Sequence, residues 1–118
     1  MILLSHFMVK SMVYLLATVW FPPHKGEELG KKFLEVGKKF PEDRSLGKLV
    51  LDGALMRTKY GIKAITISEV KEGKLEAATD RVNEILALYS EIEGVNSRVD
   101  TMATLVESLD IVGLKAPE

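Results

Sequence analysis

The residues best suited to moving a proton in this sequence are a histidine at a predicted turn and a carboxylate in a predicted strand. His24 follows two prolines, at the junction between an apolar segment and a helical pattern. Imidazole titrates near neutral pH, and a helix N-terminus offers free N–H groups to an anion. We therefore consider His24 a candidate acid–base or anion-binding residue, with an exposed loop histidine or helix cap as the alternative. Asp100 is the second candidate for proton transfer.

Two aromatic residues have the character of a ligand-binding wall. Tyr14 and Trp20 are six positions apart in a predicted strand, so they share one face. Their rings offer apolar contact, and their O–H and N–H groups can orient a ligand. Packing against another subunit is the alternative, because aromatic residues are enriched at protein interfaces.

Charged side chains also fall within the predicted strands, where a buried charge must be paired or neutralised. These are Asp52, Arg57, Lys63, Glu69, Arg98 and Asp100. We expect Lys63 and Glu69 to face solvent. For Arg98 and Asp100 an inward and an outward position remain alternatives, because they share a predicted face with Met102 and Thr104. Arg98 is therefore a third candidate ligand-binding residue, beside Tyr14 and Trp20.

Neither a metal site nor a cofactor site is predicted. His6 and His24 are the only histidines and cysteine is absent, so a metal site with several histidines would need two chains or carboxylate ligands. The sequence contains no Gly-rich phosphate loop followed by Lys-Ser/Thr, no G-x-S-x-G and no H-E-x-x-H motif. We expect no bound metal and no organic cofactor.

Composition points to an ordinary globular protein of 118 residues, 47% apolar and 28% charged. A net charge of −1 gives no overall field for nucleic acid or an anionic membrane, and no predicted strand carries the aromatic RNA-binding signature. The absence of cysteine fits a reducing compartment, so we predict a cytoplasmic location. Abundant Lys and Glu with no Gln follow a trend of hyperthermophile proteins, with chance as the alternative.

The apolar start of the chain is predicted to be an extension and not a signal or a membrane span. It has no basic leading segment, no small-residue cleavage site follows it, and Lys10 would lie inside any span drawn through it. The predicted organisation is an extension over residues 1–11, one domain over residues 12–113 and a tail over residues 114–118.

The segment from Val13 to Phe21 predicts a strand that is apolar on both faces. One face carries Val13, Leu15, Ala17, Val19 and Phe21, and the other carries Tyr14, Leu16, Thr18 and Trp20. Such a strand is usually covered on both sides. This is the most informative pattern in the sequence.

Periodicity predicts the other elements. They are a helix over Lys25–Phe40, a hairpin with arms Lys48–Thr58 and Ile62–Val70, a helix over Leu75–Ile92, a strand over Arg98–Val106, and a short helix over Leu109–Val112 capped by Ser108. Gly53 indicates a bulge. Gly26, Gly30 and Gly37 are expected to let the first helix lie close to the sheet, and Gly94 to cap the second helix.

This order of elements predicts an α+β, ferredoxin-like βαββαβ fold, an antiparallel sheet with both helices on one face. Together with the doubly apolar strand, it resembles the dimeric α/β-barrel superfamily over about residues 12–113. The resemblance implies two sheets packed face to face with the helices outside. Members include cofactor-free monooxygenases, dehydratase-like and isomerase enzymes, and stress-responsive proteins. The sequence shows no motif of one branch, so the resemblance assigns no catalytic residue.

The sequence therefore predicts a homo-oligomer, most simply a dimer, with a small organic ligand bound at the sheet–sheet interface by Tyr14, Trp20 and Arg98. One alternative is a cofactor-independent enzyme that uses the same cavity, with His24 or Asp100 as the proton-transfer group. The other is a structural or regulatory oligomer whose interior is filled by side chains.

Overall fold

Hydrogen bonding joins strands of the chain into one antiparallel sheet, in the order β2 (Gly47–Thr58), β3 (Gly61–Val70), β1 (Val13–Phe21) and β4 (Asn96–Ala103). The computed structural model describes residues 13–106, 109 and 112–114. The elements are β1 Val13–Phe21, α1 Gly26–Lys39, β2 Gly47–Thr58, β3 Gly61–Val70, α2 Leu75–Tyr89 and β4 Asn96–Ala103, with a 3₁₀ turn over Pro23–Lys25. This order and pairing confirm the predicted α+β ferredoxin-like fold.

Strand β1 is an interior strand of the sheet, paired with β3 along one edge and with β4 along the other. Its odd-numbered residues face the helices, and Leu15, Val19 and Phe21 are buried there. Its even-numbered residues form part of the opposite surface of the sheet, which no helix covers within the described residues. We call this surface the open face.

The core lies between the sheet and the helices. Buried side chains of α1, α2 and β1, together with one from the turn after α2, form its larger cluster: Val19, Phe21, Leu29, Val36, Leu86, Tyr89 and Ile92. A smaller cluster contains Leu15, Val70 and Ala78. Helix α1 contributes residues at helical spacing, and its acidic first turn and basic last turn complement the helix dipole.

The predicted hairpin is confirmed, and its first strand is irregular. The pairing of β2 with β3 shifts register between Leu49 and Leu51 and again between Leu51 and Ala54. Gly53 lies in the second shift with φ +66°, a conformation that glycine adopts without steric cost. The bulge expected at Gly53 is therefore present.

Three sequence-based expectations about segment ends are wrong. Strand β4 stops at Ala103, and Leu105 and Val106 are already helical. Helix α2 ends at Tyr89, where the Ser90 hydroxyl donates to the Ala87 carbonyl at 2.6 Å and competes with further helical bonds. Gly94 thus belongs to the turn that leads into β4 and does not cap α2 directly. Some predictions fall outside the described residues. They are the Ser108 cap, the extension over residues 1–11 and residues 115–118 of the tail.

The three glycines of α1 do not bring the helix against the sheet, contrary to expectation. A Cβ atom added at Gly26, Gly30 or Gly37 would meet no atom within 4 Å. The space beside them is open. None of the helices within the described residues is long and apolar enough to cross a membrane.

Candidate functional site

A cavity of about 460 Å³ lies between the sheet and the two helices. Its sheet side is formed by core-facing residues of β1 and β3, including Leu15, Ala17 and Ala64. Its helix side includes Val36 of α1 and Leu86 of α2. The volume falls in the range of small-molecule sites, and most of the lining is apolar. This is the strongest candidate site in the part of the chain that the structure describes.

The cavity exists because α1 and β2 leave space between them. Helix α2 packs against β1, β4 and α1, which leaves the β2–β3 half of the sheet to α1. On α1, three of the positions that line the cavity are Gly26, Gly30 and Gly37, so no side chain extends into it from them. On β2, the bulge places Gly53 against the cavity, with the ring of Phe33 above it. Missing side chains and the irregular strand together create the volume.

Tyr89 supplies a polar group to this largely apolar space. It lies at the end of α2, lines the cavity and is only 7% exposed. Its hydroxyl has no hydrogen-bond partner among the described residues. Burial, together with the negative charge of Asp52, raises the pKa of Tyr89 to about 12. The phenol is therefore neutral at physiological pH and can donate a hydrogen bond.

Asp52 reaches the same cavity from the bulge of β2 and is held by a short hydrogen-bond chain. The Gly53 backbone N–H donates to Thr66 Oγ1 at 3.1 Å. The Thr66 hydroxyl donates to Asp52 Oδ1 at 3.5 Å. Thr66 thus satisfies the backbone donor that the bulge frees from the ladder and also positions the carboxylate. Asp52 itself is exposed and marks the solvent side of the cavity.

The other polar wall of the cavity is already occupied by contacts within the protein. The Arg81 guanidinium donates to the Pro41 carbonyl, and it lies 5.4 Å from the centre of the Phe40 ring. Asp43 accepts hydrogen bonds from the Ser45 hydroxyl and backbone, which lower the pKa of its carboxyl. These contacts connect the end of α1 to α2, so this wall is part of the scaffold.

The predicted binding residues lie on the other side of the sheet. Tyr14 and Trp20 are half-buried on the open face and do not line the cavity. Thr18, between them, is 3% exposed. Lys63 and Glu69, predicted to face solvent, lie opposite Trp20 and Tyr14 on the same face and are half-buried. Ligand binding by Tyr14 and Trp20 at a sheet–sheet interface stays a prediction.

Arg98 and Asp100 are also on the open face and form an ion pair. Arg98 Nε donates to Asp100 Oδ2 at 2.7 Å, and the two side chains are 68% and 36% exposed. In the pairing of β4 with β1, Arg98 lies opposite Thr18 and Asp100 lies opposite Leu16. Exposed ion pairs of this kind contribute little to stability, because water and salt screen both charges. Their predicted roles in ligand binding and proton transfer stay predictions.

His24 is separated from the other candidates. It lies exposed in the 3₁₀ turn after β1 and does not line the cavity. Asp100 lies halfway along the edge strand β4, opposite Leu16. The structure therefore does not bring the two proposed proton-transfer residues together. Within residues 13–106, 109 and 112–114, no three His, Cys, Asp or Glu side chains form a group that could hold a metal ion.

Sequence reasoning recognised neither Tyr89 nor Asp52 as a site residue. Tyr89 falls in the apolar stripe of α2, where a periodic pattern indicates only a core position. The available signal was its type, since a buried tyrosine usually finds a partner for its hydroxyl. Asp52 was one of several charges in predicted strands, and only the bulge at Gly53 directs it to the cavity.

Comparison with known proteins reveals similarity at the level of the fold. No protein-family model matches the chain, and no curated protein matches it. The crystal structure of a conserved protein from Methanosarcina mazei Go1 superposes with a TM-score of 0.53 at 14% identity, covering 83% of this chain and 98% of that one. What is shared is the fold. At such low identity, a common fold does not imply a common function.

A second structure is more distant. A protein from Caulobacter crescentus CB15, provisionally assigned as an antibiotic biosynthesis monooxygenase, superposes with a TM-score of 0.48 at 19% identity, over 82% of this chain and 92% of that one. A superposition at this level says nothing about function. The shared feature is therefore the ferredoxin-like arrangement of strands and helices that the sequence predicted.

Proposed function

We propose that this protein binds a small, largely apolar organic molecule in the cavity between the sheet and the helices. The observation that carries this proposal is the cavity itself, about 460 Å³ of space lined mainly by apolar side chains. Protein interiors are normally packed to crystal-like density, so a void of this size is not a packing defect. Apolar walls with few polar groups are typical of small-molecule sites.

This proposal moves the ligand from the sheet–sheet interface to the helix side of the sheet. Tyr14, Trp20 and Arg98 do not line the cavity. Binding is preferred over catalysis because neither His24 nor Asp100 lines it either. A proton-transfer group must come within hydrogen-bond reach of the reacting atom, directly or through one water.

We also propose that a second copy of the chain covers the open face. The centre of that face is apolar and includes Leu16, Ile65 and Ile67, whereas Lys63 and Glu69 lie toward its ends. An apolar centre with a charged periphery is typical of a subunit interface. In this proposal Tyr14 and Trp20 pack against the partner subunit and do not contact the ligand.

The cavity can be tested with ethylbenzene as a neutral apolar probe. We expect nuclear magnetic resonance titration of the labelled protein to shift cavity resonances such as those of Val36 and Leu86. The indole resonance of Trp20, the only tryptophan, should stay unchanged. Shifts confined to the Trp20 side would instead place binding at the open face and contradict the proposal.

Filling the cavity provides the matched variant. Ala64→Phe adds a ring where β3 lines the cavity, and Ala87→Phe adds the same ring at an exposed position of α2. We expect Ala64→Phe to weaken ethylbenzene binding at least tenfold and Ala87→Phe to leave it within twofold. Far-ultraviolet circular dichroism would confirm that both variants fold. Undiminished binding by a folded Ala64→Phe variant would refute the assignment.

A further inference from the structure

Tyr89 is a buried polar residue of the cavity whose hydroxyl lacks a partner among the described residues. The residue is more than nine-tenths buried, since 7% of its surface is exposed. Within the described residues, its hydroxyl forms no hydrogen bond. A buried hydroxyl without a partner costs about 1–3 kcal/mol, so native proteins usually satisfy such groups. A group inside the cavity is therefore needed to complete the hydrogen bonding of Tyr89.

The phenol acts as a donor and not as an anion. The raised pKa of Tyr89, about 12, keeps it protonated across the physiological range. A neutral phenol in an apolar site offers one O–H donor. Water is the competing partner, and a ligand oxygen that replaces it must provide an equivalent acceptor.

Asp52 restricts the charge of the ligand. It is the charged group whose field reaches the Tyr89 hydroxyl. Thr66 orients its carboxylate, and the carboxylate and Tyr89 line the same cavity. In the part of the chain that the structure describes, two cations line the cavity: Arg81, which is engaged with the Pro41 carbonyl, and Lys48, which is exposed to solvent. A ligand anion beside the buried Tyr89 hydroxyl would therefore be repelled by the Asp52 carboxylate, whose field reaches that hydroxyl.

We propose that Tyr89 donates the hydrogen bond that anchors the ligand, and that the ligand is an uncharged apolar molecule with one acceptor oxygen, such as a ketone, aldehyde, ester or ether. This proposal rests on the proposed function, because it requires the cavity to be the binding site. It adds the chemical class of the ligand and the residue that recognises it.

Acetophenone and ethylbenzene form a matched pair of probes, because they differ in having a carbonyl or a methylene beside the ring. Tyr89→Phe removes only the hydroxyl and preserves the ring. We expect this variant to bind acetophenone about threefold to tenfold more weakly, the value of one hydrogen bond, and to bind ethylbenzene within twofold of the wild type. Affinities would be measured by nuclear magnetic resonance titration.

The outcomes separate the two proposals. If neither probe binds the wild type, both the proposed function and this inference fail. If both probes bind, and Tyr89→Phe weakens them equally or not at all, the inference alone fails. A loss of affinity confined to acetophenone supports both.

Benzoate tests the requirement for an uncharged ligand. At low ionic strength, where charge effects are least screened, we expect the wild type to bind benzoate at least threefold more weakly than acetophenone. Asp52→Asn keeps the shape and removes the charge, so benzoate should gain about threefold while acetophenone stays within twofold. Wild-type binding of benzoate as strong as that of acetophenone would overturn the charge assignment.

Discussion

Tyr89 shows how a single polar atom can define a site in a largely apolar core. Its ring packs in the same cluster as Val19, Phe21 and Leu86, and its hydroxyl lies at the cavity. His24, by contrast, has more versatile chemistry but is exposed at a turn, away from the cavity. Location, more than residue type, therefore decides which side chain can recognise a ligand.

The raised pKa of Tyr89 predicts alkaline destabilisation. Its folded-state pKa of about 12 exceeds the ordinary value of 10.0. Above pH 10, Tyr89 therefore ionises more readily in the unfolded chain than in the folded protein, and this ionisation favours unfolding. The stability due to neutral Tyr89 is complete below pH 10 and is lost as the pH approaches 12. Relative to Tyr89→Phe, the wild type should lose about 1 kcal/mol of unfolding free energy by pH 11.

Urea unfolding of both proteins between pH 8 and about pH 11 measures this difference. The contributions of titrating groups that the two proteins share cancel when their unfolding free energies are subtracted. Tyr60→Phe is the control for removing a tyrosine hydroxyl outside the core, because Tyr60 is 85% exposed. A constant difference between wild type and Tyr89→Phe over this range would show that Tyr89 ionises equally easily in the folded and unfolded states.

At the scale of elements, helix α1 and strand β2 shape the cavity through glycines that act in different ways. Gly30 is helical and has open space beside it, so its contribution is an absent side chain. Gly53 has φ +66° and lies under the Phe33 ring, so its contribution is a backbone conformation. The same substitution should therefore have opposite effects at the two positions.

Gly30→Ala should stabilise the protein by about 0.5–1 kcal/mol. The added methyl group meets no atom within 4 Å, and alanine loses less conformational entropy than glycine in a helix interior. Urea unfolding at a fixed protein concentration measures the change, since stability depends on concentration if the chain associates. Destabilisation would mean that the space beside Gly30 is closed in solution.

Gly53→Ala should destabilise the protein by about 1–2 kcal/mol. Alanine is strained at this positive φ, and its Cβ would lie 3.4 Å from the Phe33 ring. Gly73→Ala is the control for backbone strain alone, because Gly73 has φ +80° and no atom within 4 Å of an added Cβ. We expect the loss of stability at Gly53 to exceed that at Gly73, and equal losses would exclude a role for the Phe33 contact.

At the scale of the whole molecule, the sheet separates two surfaces with different proposed roles. The helix side holds the cavity and Tyr89, and the open face holds Tyr14, Trp20 and the Arg98–Asp100 pair. A central strand that is apolar on both faces suits this division, because both sides of β1 are then covered by protein. The cytoplasmic location, the extension over residues 1–11 and a thermophilic source stay predictions.

The proposed covering of the open face predicts a dimer in solution. Size-exclusion chromatography with light scattering should give twice the mass of the chain at micromolar concentration. Leu16→Glu places a charge in the apolar centre of the open face and should shift the protein to monomer. Leu34→Glu makes the same change at a position of α1 that is 67% exposed, and the dimer should persist. A wild-type protein that stays monomeric at micromolar concentration would refute this proposal.

The sequence by itself determined the order of elements and the apolar character of both faces of β1. Strand and helix periods are local properties, so alternation in Lys63–Glu69 and helical spacing from Leu75 onward were sufficient to predict the hairpin and α2. Segment ends were less certain, as at Gly94, because a hydroxyl or a turn can end a helix within one residue.

Only the tertiary structure decided on which side of the sheet a ligand could bind. The cavity depends on the distance between α1 and the β2–β3 half of the sheet, and no pattern within either element encodes that distance. The glycines of α1 were compatible with close packing or with open space. Tyr89 and Asp52 are 37 positions apart in sequence. They line the same cavity only because the fold brings the end of α2 and the bulge at Gly53 to its walls. Local periods specify which face of an element is apolar, whereas a binding site requires the positions of several elements at once.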